Sequence, residues 1–282
     1  MRTMFLALVF ATACKPADEA PDDVPEGGTY SLESGPIYLF SGFEGDAAEL
    51  GLAVLDLEAA MEGIDYTTVA KDRAFTLPKL TADDLGGATA PPGTDPENQV
   101  ATVLLGKSVH DLAANYAVTT EPNYVCIESD TTVFYGRTFT SDTACWTDKT
   151  CEYLRTTNEV RKENFLAKAW YDLFKDYRLI TLSDGREALV ARSWTADVFP
   201  GDGGNTEFAQ NFTAEVWIPV GEETLHLYAI WAEINIGLGP DTMQTLVIDG
   251  LQQGMDFTDE FISGTPTADY CPNDRARAND RP

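Results

Sequence analysis

The stretch Pro240–Ile262, PDTMQTLVIDGLQQGMDFTDEFI, decides the architecture of this sequence. Pro240 suits the first helical turn, where backbone N–H groups have no partner, and Asp241 suits the positive end of the helix dipole. Gly264 follows the last apolar residue, where helices commonly end. One long C-terminal helix is therefore predicted. Its apolar stripe at helical spacing comprises Met243, Leu246, Val247, Leu251, Met255, Phe261 and Ile262.

Two glycines, Gly250 and Gly254, lie on the same stripe. A glycine inside a helix costs about 1 kcal/mol relative to alanine. We therefore expect the helix to approach a sheet closely at these positions.

The 120 residues before this helix read as a succession of strands. Ser183–Arg186 (SDGR) is typical of a tight hairpin turn. Alternation places Phe208, Phe212, Val216 and Ile218 on one face of one strand, and Tyr228, Ile230, Ile234 and Ile236 on one face of the next. The predicted strands are Thr131–Thr140, Glu152–Val160, Tyr177–Leu182, Glu187–Val198, Glu207–Ile218 and Thr224–Ile236.

The region before residue 121 mixes helical and strand patterns. Pro36–Ser41 is a short apolar run that predicts a buried strand, Asp46–Glu62 has helical periodicity, and Ile64–Ala70 predicts a second strand. Together they predict a βαβ-like unit. A strand at Val100–Leu105 and a helix near Ser108–Tyr116 follow.

The fold class predicted is thus α+β. An antiparallel meander closed by a long C-terminal helix occupies residues 121–271, a mixed α/β portion occupies residues 29–120, and residues 272–282 form a polar tail.

A meander closed by one long helix resembles the helix-grip arrangement of START-like and Bet v 1-like proteins. The resemblance implies an apolar ligand cavity between sheet and helix. Its candidate aromatic lining residues are Trp194, Trp217, Tyr228 and Trp231. The alternative is that these four are ordinary core or surface aromatics.

The N-terminus resembles a bacterial lipoprotein signal. Arg2 precedes an uncharged apolar run that is too short to span a bilayer, and Ala11-Thr12-Ala13-Cys14 resembles a lipobox. The resemblance implies removal of residues 1–13 and lipidation of Cys14. Residues 14–28 then form a disordered acidic tether. By the same resemblance, Lys15 after the cysteine favours the outer membrane if the host is Gram-negative. The alternative is an ordinary secretory signal with a chance cysteine.

Four further cysteines remain: Cys126, Cys145, Cys151 and Cys271. An even number in an exported chain predicts two disulfides, with three possible connectivities. A metal site is disfavoured because no CxxC spacing occurs and the only histidines are His110 and His226. We expect no metal and no cofactor.

The composition excludes some partners. The 282 residues include 46 Asp and Glu against 19 Lys and Arg, giving a net charge of −27, and 44% are hydrophobic. That is enough apolar content for a core, whereas nucleic acids and anionic lipids require a basic face. We expect no nucleic-acid partner and attribute the acidity to solvation.

Catalytic patterns are sparse. His226 lies in a predicted strand, where alternation orients it with Tyr228 and Ile230 and not into a loop. His110 and Asp111 are neighbours in sequence, which do not face each other on a helix, so they form no catalytic dyad. Gly201–Asn205 lacks the full pattern of a calcium loop. Glu215 and Glu233, each two residues from a tryptophan, are a candidate pair for glycoside hydrolysis. In a chain this acidic, such a pair also arises by chance.

The sequence therefore predicts a lipid-anchored cell-envelope protein, facing the periplasm or the cell surface, of binding or interaction type and with no recognisable enzyme signature. Its expected partners are the membrane, through the anchor, and an unknown protein or small molecule. One alternative is a carrier of a small apolar ligand, which requires a cavity beneath the helix. Another is a polysaccharide hydrolase, which requires Glu215 and Glu233 in one open cleft.

Overall fold

The computed structural model describes residues 29–91, 99–122, 124–163, 168–200, 207–235 and 237–264. The helices are α1 (Ser34–Ser41), α2 (Ala47–Ala60), α3 (Leu112–Val118), α4 (Thr143–Thr147) and α5 (Pro240–Ile262). The strands are β1 (Ala74–Thr76), β2 (Val100–Ser108), β3 (Thr132–Phe139), β4 (Tyr153–Glu163), β5 (Lys168–Thr181), β6 (Glu187–Trp194), β7 (Phe199–Pro200), β8 (Glu207–Val220) and β9 (Glu223–Asn235). None of the helices in these ranges is long and apolar enough to cross a membrane.

The strands form one antiparallel sheet in the order β1-β2-β9-β8-β6-β5-β4-β3, with β7 paired to β8. Strand β2 pairs with β9 along its whole length. A strand from the first 120 residues therefore lies inside the same sheet as the meander. The α+β class, the antiparallel sheet and the long C-terminal helix are confirmed, and α5 has the predicted bounds.

The N-terminal portion differs from the predicted βαβ unit. Pro36–Ser41 is not a strand but most of helix α1. Pro36 occupies the first turn, where its missing N–H costs nothing, and Leu39 and Phe40 are fully buried. A short apolar run has no periodicity that separates a buried helix from a buried strand, which explains the error.

The predicted strand Ile64–Ala70 is also wrong, because Asp65 closes a turn there. Its carboxylate accepts hydrogen bonds from the backbone N–H and the hydroxyl of Thr67, at 3.0 and 2.6 Å. Such local bonds from an aspartate compete with strand pairing. The chain then enters a 3₁₀ turn at Ala70–Arg73.

The sheet has two covered faces. Helices α1 and α2 cover the first, here called the core face, where Phe40, Val54 and Leu57 meet apolar side chains of β2, β6, β8 and β9. Helix α5 lies over the other, here called the cavity face, where Ile248 and Leu251 pack against Leu104. Alternation along each strand assigns successive residues to opposite faces.

A β-bulge changes this alternation in β8. The pairing with β9 shifts between Phe208 and Gln210, so Phe208 lies on the cavity face while Phe212, Val216 and Ile218 lie on the core face. The prediction that Phe208 shares a face with the other three is therefore wrong, because one inserted residue reverses the phase.

Candidate functional site

A cavity of about 430 Å³ separates the cavity face from α5. Its walls come from β5, β8 and β9, from α5, and from the 3₁₀ turn Tyr124–Ile127. Ligand cavities in proteins begin at about 300 Å³, so this space is large enough to hold a small molecule. It is a candidate binding site.

The helix itself leaves part of this space open. A Cβ atom added at Gly250 meets nothing within 4 Å, and one added at Gly254 meets only the Ile127 carbonyl oxygen, at 4.0 Å. The expectation of close approach at these glycines is therefore wrong. The close approach occurs at Gly106 of β2, where an added Cβ would overlap the Met255 side chain. Contact at the β2 side tethers α5, while Gly250 and Gly254 border the cavity.

A charged pair, Lys175 and Glu215, lies in the cavity wall. Lys175 Nζ lies 2.7 Å from Glu215 Oε1, and the two side chains are only 5% and 3% exposed. His226 Nε2 lies 3.4 Å from Glu215 Oε2, and the His226 ring stacks on Trp217 with 4.4 Å between ring centroids. These three titratable groups form the polar end of the cavity.

Both members of the pair are ionised. Burial opposes the charge on Lys175, but the attraction of Glu215 outweighs it and holds the pKa of Lys175 well above its ordinary value. Burial also opposes the charge on Glu215, yet Lys175 and His226 together hold the pKa of Glu215 below its ordinary value. The polar end therefore contains two opposite charges that balance each other.

Tyrosine hydroxyls extend the polar end. Tyr124 OH lies 3.4 Å from Lys175 Nζ, Tyr177 OH donates to Tyr124 OH at 3.2 Å, and Arg137 Nη2 donates to Tyr177 OH at 3.1 Å. Burial raises the pKa of Tyr124 and of Tyr228 above the ordinary tyrosine value. The hydroxyls of Tyr124 and Tyr228 are therefore neutral at physiological pH and can both donate and accept hydrogen bonds.

The other end of the cavity is apolar. Phe208, which the bulge turns to this face, stacks on Tyr171 with 4.3 Å between ring centroids. Leu173 and Ile234 pack in the same apolar cluster as these two rings. The cavity thus has an apolar body and a polar end built from neighbouring residues of β5, β8 and β9.

The predicted aromatic candidates divide between the two faces of the sheet. Trp217 and Tyr228 line the cavity. Trp231 is fully buried on the core face, where its Nε1 donates to the Pro78 carbonyl oxygen at 2.8 Å. Trp194 is half-buried outside the cavity wall and stacks on Phe174. Trp231 is three positions after Tyr228 on β9. Side chains an odd number of positions apart on a strand point to opposite faces, so Trp231 points away from the cavity.

The candidate carboxylate pair is separated by the sheet. Glu215 lies on the cavity face, whereas Glu233 accepts a hydrogen bond from Gln210 Nε2 at 2.8 Å among buried residues of the core face. Paired carboxylates act on one glycosidic bond only from a shared cleft. The expected open cleft holding both residues is therefore absent among these strands.

The remaining candidates lie elsewhere or outside the described residues. Cys145 of α4 and Cys151, which precedes β4, form a disulfide, with their Cα atoms 5.3 Å apart. The side chain of Cys126 and all of Cys14, Cys271 and the 201–205 loop lie outside the described residues. In the described part of the chain, no group of three or more His, Cys, Asp or Glu is arranged to hold a metal ion.

The two histidines have different surroundings. His110 precedes α3, and its Nε2 lies 3.0 Å from both the Asp259 carbonyl oxygen and Ser263 Oγ, which ties the loop to the end of α5. His226 is 7% exposed and lines the cavity. The orientation of His226 with Tyr228 and Ile230 agrees with the alternation expected from sequence.

Sequence reasoning missed Lys175. The predicted strand began at Tyr177, whereas β5 begins at Lys168 and contains the alternating residues Tyr171, Leu173, Lys175 and Tyr177. A lysine at an apolar position of an alternating strand is a signal for a buried, paired charge. That signal was present in the sequence once the strand start was placed correctly.

No family model and no curated protein sequence matches the chain. Solved structures with a similar arrangement include a STAR-related lipid transfer protein from Xanthomonas axonopodis, which is 9% identical over 58% of this chain and 85% of that chain, with a TM-score of 0.42. A START superfamily protein from Mycobacterium smegmatis is 8% identical over 57% of this chain and 96% of that chain, with a TM-score of 0.38. Human STARD10 is 8% identical over 64% of this chain and 72% of that chain, with a TM-score of 0.37.

All three are less than 10% identical to this chain and have TM-scores below 0.5, so nothing about the chain's function is argued from them. The function is therefore inferred from the cavity and its residues.

The charged pair predicts how stability depends on pH. The pKa of Glu215 is lowered in the folded chain. Its contribution to the free energy of unfolding is therefore fully present above the ordinary pKa of 4.5 and is lost as pH falls through the folded pKa. The pKa of Lys175 is raised, so its contribution is present below the ordinary value of 10.5 and is lost only at more alkaline pH. Between these limits the pair contributes fully.

We therefore expect the native chain to lose stability below pH 4.5 more steeply than an apolar-pair variant, Lys175→Met with Glu215→Leu. The urea midpoints of both chains, measured from pH 3 to pH 9, test this. Parallel curves on the acid side would contradict a charged Glu215.

Proposed function

We propose that this chain binds a small, mainly apolar molecule inside the cavity beneath α5 and acts as its carrier. The observation that carries the proposal is the cavity itself, about 430 Å³ with an apolar body and one polar end. A cavity of about 150 Å³ lined by apolar side chains binds benzene. This cavity is about three times larger, which suits a molecule of two or three rings or an equivalent chain.

Two rival functions have less support. A protein-interaction surface requires a large exposed apolar patch. The exposed large apolar side chains in the described ranges instead lie on five different elements or loops: Leu52, Val69, Val109, Val220 and Leu246. A hydrolase with paired Glu215 and Glu233 is disfavoured by their positions on opposite faces of the sheet.

The cellular setting is part of the proposal. Residues 1–28, with the signal, Cys14 and the acidic tether, lie outside the described residues. The lipobox-like sequence supports an envelope protein anchored through Cys14, in which the cavity domain works beside a membrane. Attachment at Cys14 and location in the outer membrane rest on sequence alone.

Mass spectrometry of the full chain, expressed in bacteria and extracted in mild detergent, tests the proposal. Under native conditions we expect the mass of the chain plus one small molecule, which is released on denaturation. Titration with naphthalene after ligand removal should show saturable binding to one site. A chain that carries no small molecule and does not bind naphthalene would contradict a carrier.

The denatured mass tests the anchor separately. We expect a chain that begins at Cys14 and carries acyl groups. A mass that corresponds to an unlipidated chain would contradict anchoring but would leave the cavity proposal standing.

A further inference from the structure

The charges around the cavity carry an inference about its ligand, which rests on the proposed function. Among the described lining residues there are five carboxylates, Glu128, Asp130, Glu207, Glu215 and Asp249, and two lysines, Lys162 and Lys175. The lining as a whole is therefore negative.

The unbalanced charge is exposed. Asp130, Glu207 and Asp249 line the cavity and are open to solvent. We call these three residues the acidic rim. Lys162 Nζ lies 3.4 Å from Glu128 Oε2, so the nearby lysine is already paired. A molecule that passes the acidic rim meets negative potential, which disfavours anions.

Among the described residues that line the interior, the buried lysine is already paired. Lys175 is paired with Glu215 at 2.7 Å, so a carboxylate or phosphate placed there would compete with Glu215 and leave a buried charge uncompensated. Such burial is costly in a low-dielectric site. The polar end is therefore unsuited to an anionic headgroup.

The interior does offer unused hydrogen-bonding capacity. His226 is 7% exposed and lines the cavity, but its Nε2 makes no hydrogen bond within normal geometry, since Glu215 Oε2 lies 3.4 Å away. Tyr228 also faces the cavity. Buried polar atoms usually have a partner, so a ligand atom that donates or accepts a hydrogen bond would complete this end.

We propose that the cavity selects an uncharged amphipathic molecule. One hydroxyl or carbonyl group would lie against Glu215, His226 and Tyr228, and an apolar body would extend toward Phe208 and Tyr171. The acidic rim would disfavour anionic molecules of the same shape. The ligand class is thus a neutral ring or chain compound with a single hydrogen-bonding group, and fatty-acid-like anions are excluded.

Three probes of one shape test this proposal: naphthalene, 2-naphthol, which is uncharged at pH 7, and 2-naphthoate, which is anionic. Their dissociation constants are measured by ligand fluorescence on the full chain in detergent. We expect 2-naphthol to bind about tenfold tighter than naphthalene because it gains a hydrogen bond to a charged group. We expect 2-naphthoate to bind more weakly than 2-naphthol by at least a similar factor.

The apolar-pair variant should bind naphthalene at least as tightly as the native chain and show a reduced preference for 2-naphthol, because the hydrogen bond to the charged Glu215 is lost while His226 and Tyr228 remain. The matched control is Asp176→Leu with Arg192→Met. Asp176 follows Lys175 on β5, and Arg192 lies on β6, with its Nη2 3.3 Å from Asp176 Oδ2. Both side chains are buried, and neither lines the cavity. The control variant should keep the preference for 2-naphthol.

A surface variant tests the rim even if the buried variant fails to fold. Asp130→Asn, Glu207→Gln and Asp249→Asn together should tighten 2-naphthoate binding several-fold at low salt and leave 2-naphthol unchanged. Tighter binding of 2-naphthoate than of 2-naphthol by the native chain would overturn the inference. Equal binding of naphthalene and 2-naphthol would also overturn it while leaving the carrier function intact, and failure of all three probes to bind would count against the carrier function itself.

Discussion

Replacing Lys175 by methionine alone is expected to lower the free energy of unfolding by about 3–5 kcal/mol. The substitution leaves Glu215 charged in a site where its side chain is 3% exposed. His226 is the next polar group within reach, and its ring nitrogen lies 3.4 Å away. The cost of the substitution is therefore almost entirely the cost of leaving the Glu215 carboxylate charged, buried and without its partner.

The apolar-pair variant should recover most of this loss. Replacing both members of a buried ion pair by apolar residues is often neutral or stabilising, by about 1–4 kcal/mol. Urea unfolding, followed by tryptophan fluorescence and circular dichroism, measures the single and double changes in one cycle. The expected coupling between the two positions is therefore large.

A surface ion pair provides the control for this cycle. Lys107 pairs with Glu223, and the two side chains are 31% and 44% exposed. Lys107→Met should therefore change the free energy of unfolding by no more than about 1 kcal/mol. If Lys175→Met costs as little as Lys107→Met, Glu215 is either hydrated or protonated in the variant, and the charge-balanced polar end would have to be abandoned.

The parts of this fold that sequence predicted are those with strong local signals. Helix α5 has a proline in its first turn and a long apolar stripe, which predict a helix from about Pro240 to about Ile262, and the structure has one with these bounds. The hairpin at Ser183–Arg186 was predicted from its turn residues, and Gly185 has a positive φ of 89° there. Each of these signals lies within one short stretch of sequence and needs no contact from elsewhere in the chain.

The parts that sequence did not predict depend on contacts from elsewhere in the chain. Pro36–Ser41 is helical because α1 packs on α2 and the core face, which a run of apolar residues does not reveal. The side of Phe208 depends on one bulge in β8. Bulges shift every following side chain to the other face, and their position is set by pairing with a distant strand.

The polar end of the cavity shows the same dependence. Glu215 was recognised as a candidate, but its assumed partner, Glu233, lies on the other face. Its actual partner, Lys175, is 40 positions earlier on β5, and β6 lies between the two strands. Such a cross-sheet pair is visible in sequence only when strand order and register are both known.

Filling the cavity from the helix should abolish ligand binding without loss of stability. Gly250→Trp with Gly254→Leu places two large apolar side chains in the cavity, about one helical turn apart. A Cβ atom at Gly250 would meet no atom within 4 Å, and one at Gly254 would meet only the Ile127 carbonyl oxygen, so there is room for both. We expect the affinity for 2-naphthol to fall at least about a hundredfold, because the substituents occupy the volume that its rings need. Equilibrium titration with the same probe measures the loss.

Alanine at the same two positions is the matched control. Gly250→Ala with Gly254→Ala should raise the free energy of unfolding by up to about 2 kcal/mol through helix propensity alone, and the affinity for 2-naphthol should stay within a few-fold of the native value. If the large variant loses binding and the alanine variant keeps it, the loss is due to the filled volume and not to a stiffer helix. Unchanged binding in the large variant would mean that the probe binds elsewhere, because α5 borders the cavity along the line of Met243, Val247, Gly250 and Gly254.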